Sequence, residues 1–132
     1  MIWAVDGPDK IGKTTALLAA VQDKNYQVYV HSGNWPGMKS NWLTRIQTID
    51  KLGLDAVMDR FFVSELACAE YRGDQSLLSM ADAWELLAIF RQVLLPEIWV
   101  PDEPVPSNLS RIYRRLADEL GIPLRVVAPL AG

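Results

Sequence analysis

The stretch Gly7-Pro8-Asp9-Lys10-Ile11-Gly12-Lys13-Thr14-Thr15 constrains this chain more than any other. It fits the spacing G-x-x-x-x-G-K-[ST], a loop whose backbone N–H groups turn inward on a phosphate. Its surroundings agree. Ile2-Trp3-Ala4-Val5 ahead of it is apolar and reads as a buried strand, and Thr14 to Val21 behind it reads as a helix. Gly7 and Gly12 allow the backbone to curl, and a helix starting near Gly12 adds the positive end of its dipole. The loop makes Gly7, Asp9, Lys10, Ile11, Gly12, Lys13, Thr14 and Thr15 the expected ATP-binding residues. Lys13 is expected to reach the β- and γ-phosphates, and Thr14 to ligate Mg²⁺.

Composition narrows the setting. A chain of 132 residues suits one domain spanning 1–132, and half of its residues are hydrophobic, which argues against disorder. The net charge of −3 and a pI near 5.1 argue against non-specific binding to nucleic acid or to an anionic membrane. With Cys68 as the one cysteine, no internal disulfide forms. That fits a reducing, cytoplasmic setting, and Cys68 reads as core filling. No signal peptide is visible, and no apolar run is long enough to span a bilayer.

Short apolar strands alternate with helical stretches along the rest of the chain. Strands are expected at Ile2–Val5, Gln27–His31, Leu54–Met58, Glu97–Val100 and Leu124–Ala128. Helices are expected from Lys13 to about Lys24, from a cap at Ser40 or Asn41 to Leu52, from Phe61 to Arg72, and from Ser107 to Leu120. The longest is expected from Gln75 to Leu95, stopped by Pro96. This order predicts an α/β fold, a five-stranded parallel sheet flanked by helices on both faces. Such sheets bind ligands at the carboxyl ends of their strands. Asp6, the phosphate loop, His31-Ser32, Asp59-Arg60 and Pro101-Asp102-Glu103 therefore converge on one edge.

Asp59-Arg60-Phe61, with Ser64 and Ala67 at fixed spacing, follows the third strand. A carboxylate there faces the phosphate loop and is placed to hold Mg²⁺ or a substrate hydroxyl, while the arginine beside it can fork onto phosphate oxygens. With these residues the chain resembles the thymidylate kinase family, among the P-loop deoxynucleoside and deoxynucleotide kinases. Val5 to Thr15 looks like that family's Glu-Gly-x-Asp-x-x-Gly-Lys-[Ser/Thr]-Thr loop, with Asp6 in place of the glutamate. Asp59-Arg60-Phe61-x-x-Ser64-x-x-Ala67 looks like its Asp-Arg-Tyr-x-x-Ser-x-x-Ala signature.

The resemblance implies roles. Asp9 would touch the acceptor's sugar hydroxyl, Arg60 its phosphate, and Asp59 would help with Mg²⁺ and alignment. Lys10 stands where some members place a transition-state arginine, and the even alternative is a solvated loop lysine. Lys13, Asp59, Arg60 and Lys10 are thus the catalytic candidates. Trp42 and Arg45 are candidates for the acceptor base, with Trp35 and Phe62 behind them, and core filling competes for Trp42. Arg111 or Arg115 would close over the donor as a lid, against a solvated helix face for most of that arginine cluster. The Tyr-Gln pair that often follows the signature is replaced by Cys68-Ala69, so acceptor identity transfers least. The expected activity is ATP-dependent phosphoryl transfer to a deoxynucleoside monophosphate, thymidylate in the simplest case, with Mg²⁺ and a homodimer implied by the family. Transfer to a nucleoside or to a hydroxyl of modified DNA, and a nucleotide-binding module without catalysis, stand as alternatives.

Overall fold

Alternation along the first strand divides the molecule into two faces. In the computed structural model, which describes residues 1–9, 11–32 and 37–128, that strand is β1, Ile2–Asp6. Ile2 and Ala4 point into one core and Trp3 and Val5 into another, as the two-residue period of a strand requires. The remaining elements follow in order: α1 (Lys13–Gln22), β2 (Val28–His31), α2 (Lys39–Lys51), β3 (Ala56–Asp59), α3 (Val63–Arg72), α4 (Met80–Ile89), β4 (Leu94–Pro101), α5 (Asn108–Leu120) and β5 (Leu124–Val127). The strands form one five-stranded sheet in the order β2-β3-β1-β4-β5, and every pairing is parallel.

Residues of α2 to α5 pack on the Ile2 face. Trp42 and Ile46 of α2, Ala67 of α3, Leu86 of α4 and Leu116 of α5 share one core with Met58 and Ile98 of the sheet. On the opposite face α1 supplies Leu17, which packs with Val5, Val57 and Trp99. The α/β architecture with helices on both faces is therefore the one expected from the strand–helix alternation. Among the described residues no helix is long and apolar enough to cross a membrane.

The longest expected helix is where local pattern and structure part. Gln75–Leu95 holds a helix only over Met80–Ile89. Its start is set by a capping box: the Ser79 hydroxyl accepts from Asp82 N–H, and the Asp82 carboxylate accepts from Ser79 N–H, both at 3.0 Å. Its end is set by the sheet. β4 begins at Leu94, just after Val93 O accepts from Ile2 N–H. Pro96 consequently lies within a strand instead of ending a helix. Ile98 N–H points toward β5, donating to Pro123 O at 3.0 Å. Two residues earlier, Pro96 faces the same side, but β5 pairs with β4 only from Ile98 onward. The missing N–H thus falls where β4 has no neighbour, the position in which a sheet tolerates proline. A smaller difference concerns α2, which starts at Lys39 with Met38 at the N-cap and no side-chain cap, ahead of the expected Ser40 or Asn41.

Trp42 and Phe62, two expected base-stacking residues, belong to this architecture. Phe62 is fully buried and Trp42 is 2% exposed. Their rings meet edge to face at 6.1 Å, and Phe62 meets Phe61 likewise at 5.0 Å. Phe62 is thereby corrected from ligand platform to core, and for Trp42 burial favours the core alternative, with an edge left on a pocket. Trp42→Ala is expected to cost about 3–5 kcal/mol, read from the urea midpoint. A loss below ~1 kcal/mol would place the ring outside the core.

Candidate active site

Parallel strands bring their carboxyl ends to one edge, and the pairing register aligns the polar residues there. Asp59 at the end of β3 stands opposite Val5 on one side and His31 on the other. The loop after β1 closes over this edge. Gly12 takes a left-handed backbone (φ +86°) at the start of α1. Gly7 has φ +145°, and a Cβ there would fall 2.0 Å from Trp99 O, so the end of β4 presses directly on the loop backbone. Ile11 anchors the loop by burying its side chain beside Leu17 and Trp99.

Lys13 is 5% exposed, and its Nζ donates to Pro8 O at 2.8 Å across the loop. Burial pushes its ammonium down, opposed by the carboxylates of Asp6 and Asp59. Asp59 is buried and receives two hydroxyls on one oxygen: Thr14 Oγ1 at 2.5 Å and the Tyr29 phenol at 2.6 Å, both on Oδ2. Thr14 and Asp59 thus bring hard oxygen atoms together beside a phosphate loop, a donor set that suits Mg²⁺, which takes few protein ligands and keeps phosphate and water around it. Among the described residues no three His, Cys, Asp or Glu side chains converge as a metal-ligand group.

Arg60 has a positive φ of +72°, an unfavourable backbone for an arginine that costs about 1–3 kcal/mol. Three contacts hold it. Its N–H donates to Val5 O at 2.9 Å, its carbonyl accepts from Ser32 Oγ, and its guanidinium pairs with Asp9. The residues that follow are pinned by Asp6, which has no solvent exposure. The Asp6 carboxylate accepts from Gly7 N–H (3.0 Å), Phe61 N–H (3.3 Å), Ser64 N–H (2.7 Å), the Ser64 hydroxyl and the Tyr113 phenol (3.4 Å). Burial raises its pKa above the ordinary carboxylate value, opposed by Ser64, Gly7 and Lys13. Burial, followed by the Asp6 charge, also raises Tyr113 well above the ordinary phenol value.

Two polar pockets open at this edge. The first, about 220 Å³, runs along Gly12 to Thr15 and is closed by Asp59, Arg60 and His31, with the exposed Asp9 on its margin. The second, about 210 Å³, lies between α2 and α3 and includes Ser32, Phe61, Glu65, Cys68 and Arg72, with an edge of Trp42. Arg60 lines both.

Seven of the expected site residues meet at the first pocket: Asp9, Gly12, Lys13, Thr14, Thr15, Asp59 and Arg60. Lys10 and Trp35 lie outside the described residues. Arg45 is exposed on α2 and lines neither pocket. Arg115 is corrected from lid residue to structural tie. It forks onto Glu70 of α3, with Nη1–Oε2 at 2.7 Å, and lies 3.5 Å from Glu119. Arg111, in the first turn of α5, is exposed and outside both pockets. Sequence reasoning passed over Tyr29 and Tyr113. Nothing local marks either residue: Tyr29 reaches Asp59 only through the β2–β3 register, and Tyr113 reaches Asp6 from 107 residues away.

An all-parallel sheet, helices on both faces and a glycine loop between β1 and α1 define an α/β fold of the doubly wound type. No protein-family model and no curated protein matches the chain. Among solved structures it is similar to the YorR protein of Bacillus subtilis, crystallised in complex with phosphorylated GDP, with a TM-score of 0.69. The match covers 97% of this chain and 85% of that one at 16% identity, a likeness of fold.

Burial and the hydrogen bond to Asp59 push the Tyr29 phenol up to about 12. A phenol whose pKa is higher folded than unfolded stabilises the fold fully below pH 10, and that contribution declines as pH rises from 10 toward 12. Wild type is therefore expected to lose more stability than Tyr29→Phe between pH 9 and pH 11.5, measured by urea unfolding. Equal losses would mean that the phenol does not hold Asp59.

Proposed function

We propose that this chain is a P-loop kinase that transfers the γ-phosphoryl group of ATP to a nucleoside monophosphate, giving the diphosphate and ADP. The observation that carries the reading is Arg60. It is held in a strained backbone and lines both pockets, one built around the phosphate loop and one beyond it. A donor phosphate in the first pocket and an acceptor phosphate near the second would both lie against its guanidinium, which suits bidentate binding of phosphate oxygens. The structural neighbour's phosphorylated GDP supports a nucleotide as ligand. The motif resemblance to thymidylate kinases supports the kinase chemistry.

In this reading the backbone of Gly7 to Thr14 and the Lys13 ammonium hold the donor phosphates. Thr14 and Asp59 hold Mg²⁺, which would neutralise phosphate charge when bound. Tyr29 keeps Asp59 in place. Asp9, paired with Arg60, would take the acceptor's sugar hydroxyl, the role the motif resemblance implies. Lys10 adds a second loop cation. Little covalent work falls to the protein: positioning and electrostatics carry phosphoryl transfer. A thymine base and a homodimer follow from the family resemblance alone, and a cytoplasmic setting from the single cysteine.

ADP release from ATP and Mg²⁺ is expected to depend on one class of nucleoside monophosphate in a panel that also holds nucleosides and short DNA. Stimulation by a nucleoside or DNA alone would move the acceptor, and a flat panel with ATP still bound would favour a binding module. Lys13→Ala is expected to lower turnover at least about 100-fold with an unchanged far-ultraviolet spectrum. Wild-type turnover in that variant would remove the phosphate-loop assignment.

A further inference from the structure

The second pocket carries chemistry of its own. One wall is a stripe of α3 on which Glu65, Cys68 and Arg72 stand three and four residues apart, on the same helix face. The Glu65 carboxylate lies against the chain at Gly37, where a Cβ would come 2.2 Å from Oε2. Among the described residues, none of the ion pairs engages Glu65. Arg72 donates from Nε to Asp74 Oδ2 at 3.0 Å, which leaves its two terminal nitrogens as donors. Arg60, at the phosphate end of the same pocket, ties it to the transfer site.

A carboxylate and a guanidinium on one wall do not suit all bases equally. Guanine presents N1–H and the N2 amino group side by side, two donors for a carboxylate, and O6 with N7, two acceptors for an arginine fork. Thymine and uracil flank their single N3–H with two carbonyl oxygens, which a carboxylate repels. Adenine and cytosine set a ring acceptor next to the amino group, and that acceptor also faces the carboxylate unfavourably. Glu65 and Arg72 are two helical turns apart, about 10 Å along the axis, a span that two long side chains close around one base.

We infer that the second pocket binds the guanine of the acceptor nucleotide, Glu65 accepting from N1–H and the N2 amino group and Arg72 donating to O6 and N7. The inference rests on the kinase reading above and replaces the thymine suggested by motif resemblance. The test is kcat/KM for dGMP, dIMP, dAMP, dCMP and dTMP with ATP and Mg²⁺, in wild type, Glu65→Gln and Arg72→Ala. The wild type is expected to favour dGMP, and to lose about tenfold on dIMP, which lacks only the N2 amino group. Glu65→Gln, nearly isosteric, is expected to narrow that dGMP/dIMP ratio toward one. Arg72, with a side chain 62% exposed, can be truncated without opening the core, and its loss is expected to raise KM for dGMP about tenfold. Preference for dTMP or another base would overturn the inference and leave the kinase reading standing. An unchanged dGMP/dIMP ratio in a folded Glu65→Gln, or an unchanged KM in Arg72→Ala, would also overturn it. ADP from none of the five, with ATP bound, would remove the kinase reading and the inference together.

Discussion

The carboxylate of Asp6 ties together three segments that are far apart in sequence. It ends β1, and its oxygens accept from the first residue of the phosphate loop, from the turn that carries Arg60, and from α5 through Tyr113. Removing a carboxylate from water costs several kcal/mol, and hydrogen bonds offset that cost when they satisfy the oxygens well. Here backbone N–H groups and two hydroxyls do so. One acidic residue thereby fixes the spacing between the loop and Arg60.

A second carboxylate, Asp59, works on the same edge in a different way. Thr14 and Tyr29 both donate to one of its oxygens, so α1, β2 and β3 meet at a single atom. The contact orients Asp59 toward the loop and explains why a strand tyrosine belongs to the site. Lys13 lies between the two carboxylates in charge terms, lowered by burial and sustained by both. The edge is thus a balanced cluster of buried charge, open on one side to the first pocket and joined by Arg60 to the second.

Much of this was legible in the chain. The loop spacing, the apolar strand before it and the Asp59-Arg60 pair located the first pocket, because each is a local pattern with a local physical cause. The errors have equally physical causes. One long helix stopped by Pro96 is the local reading of Gln75–Leu95, but a capping box delays the start and pairing of Leu94 onward with β1 claims the end. Phe62 is a stacking candidate by sequence, yet its ring is fully buried in the core, which also takes most of Trp42, the competing alternative for that residue. Arg115 is one lid candidate in a cluster that reads mostly as a charged helix face, and its pairing with Glu70 puts it on that face.

Sequence alone determined the elements whose conformation is set within a few residues: the strand–loop–helix around Lys13, the stops at Gly73 and Gly121, and the parallel class that strand–helix alternation imposes. Tertiary structure decided which distant side chains share an atom or a wall. Tyr29 on Asp59, Tyr113 on Asp6, and Glu65 in one pocket with Arg60 depend on strand register and helix packing. Those are set by the burial of both sheet faces at once, a property of the whole chain that no window of a few residues contains.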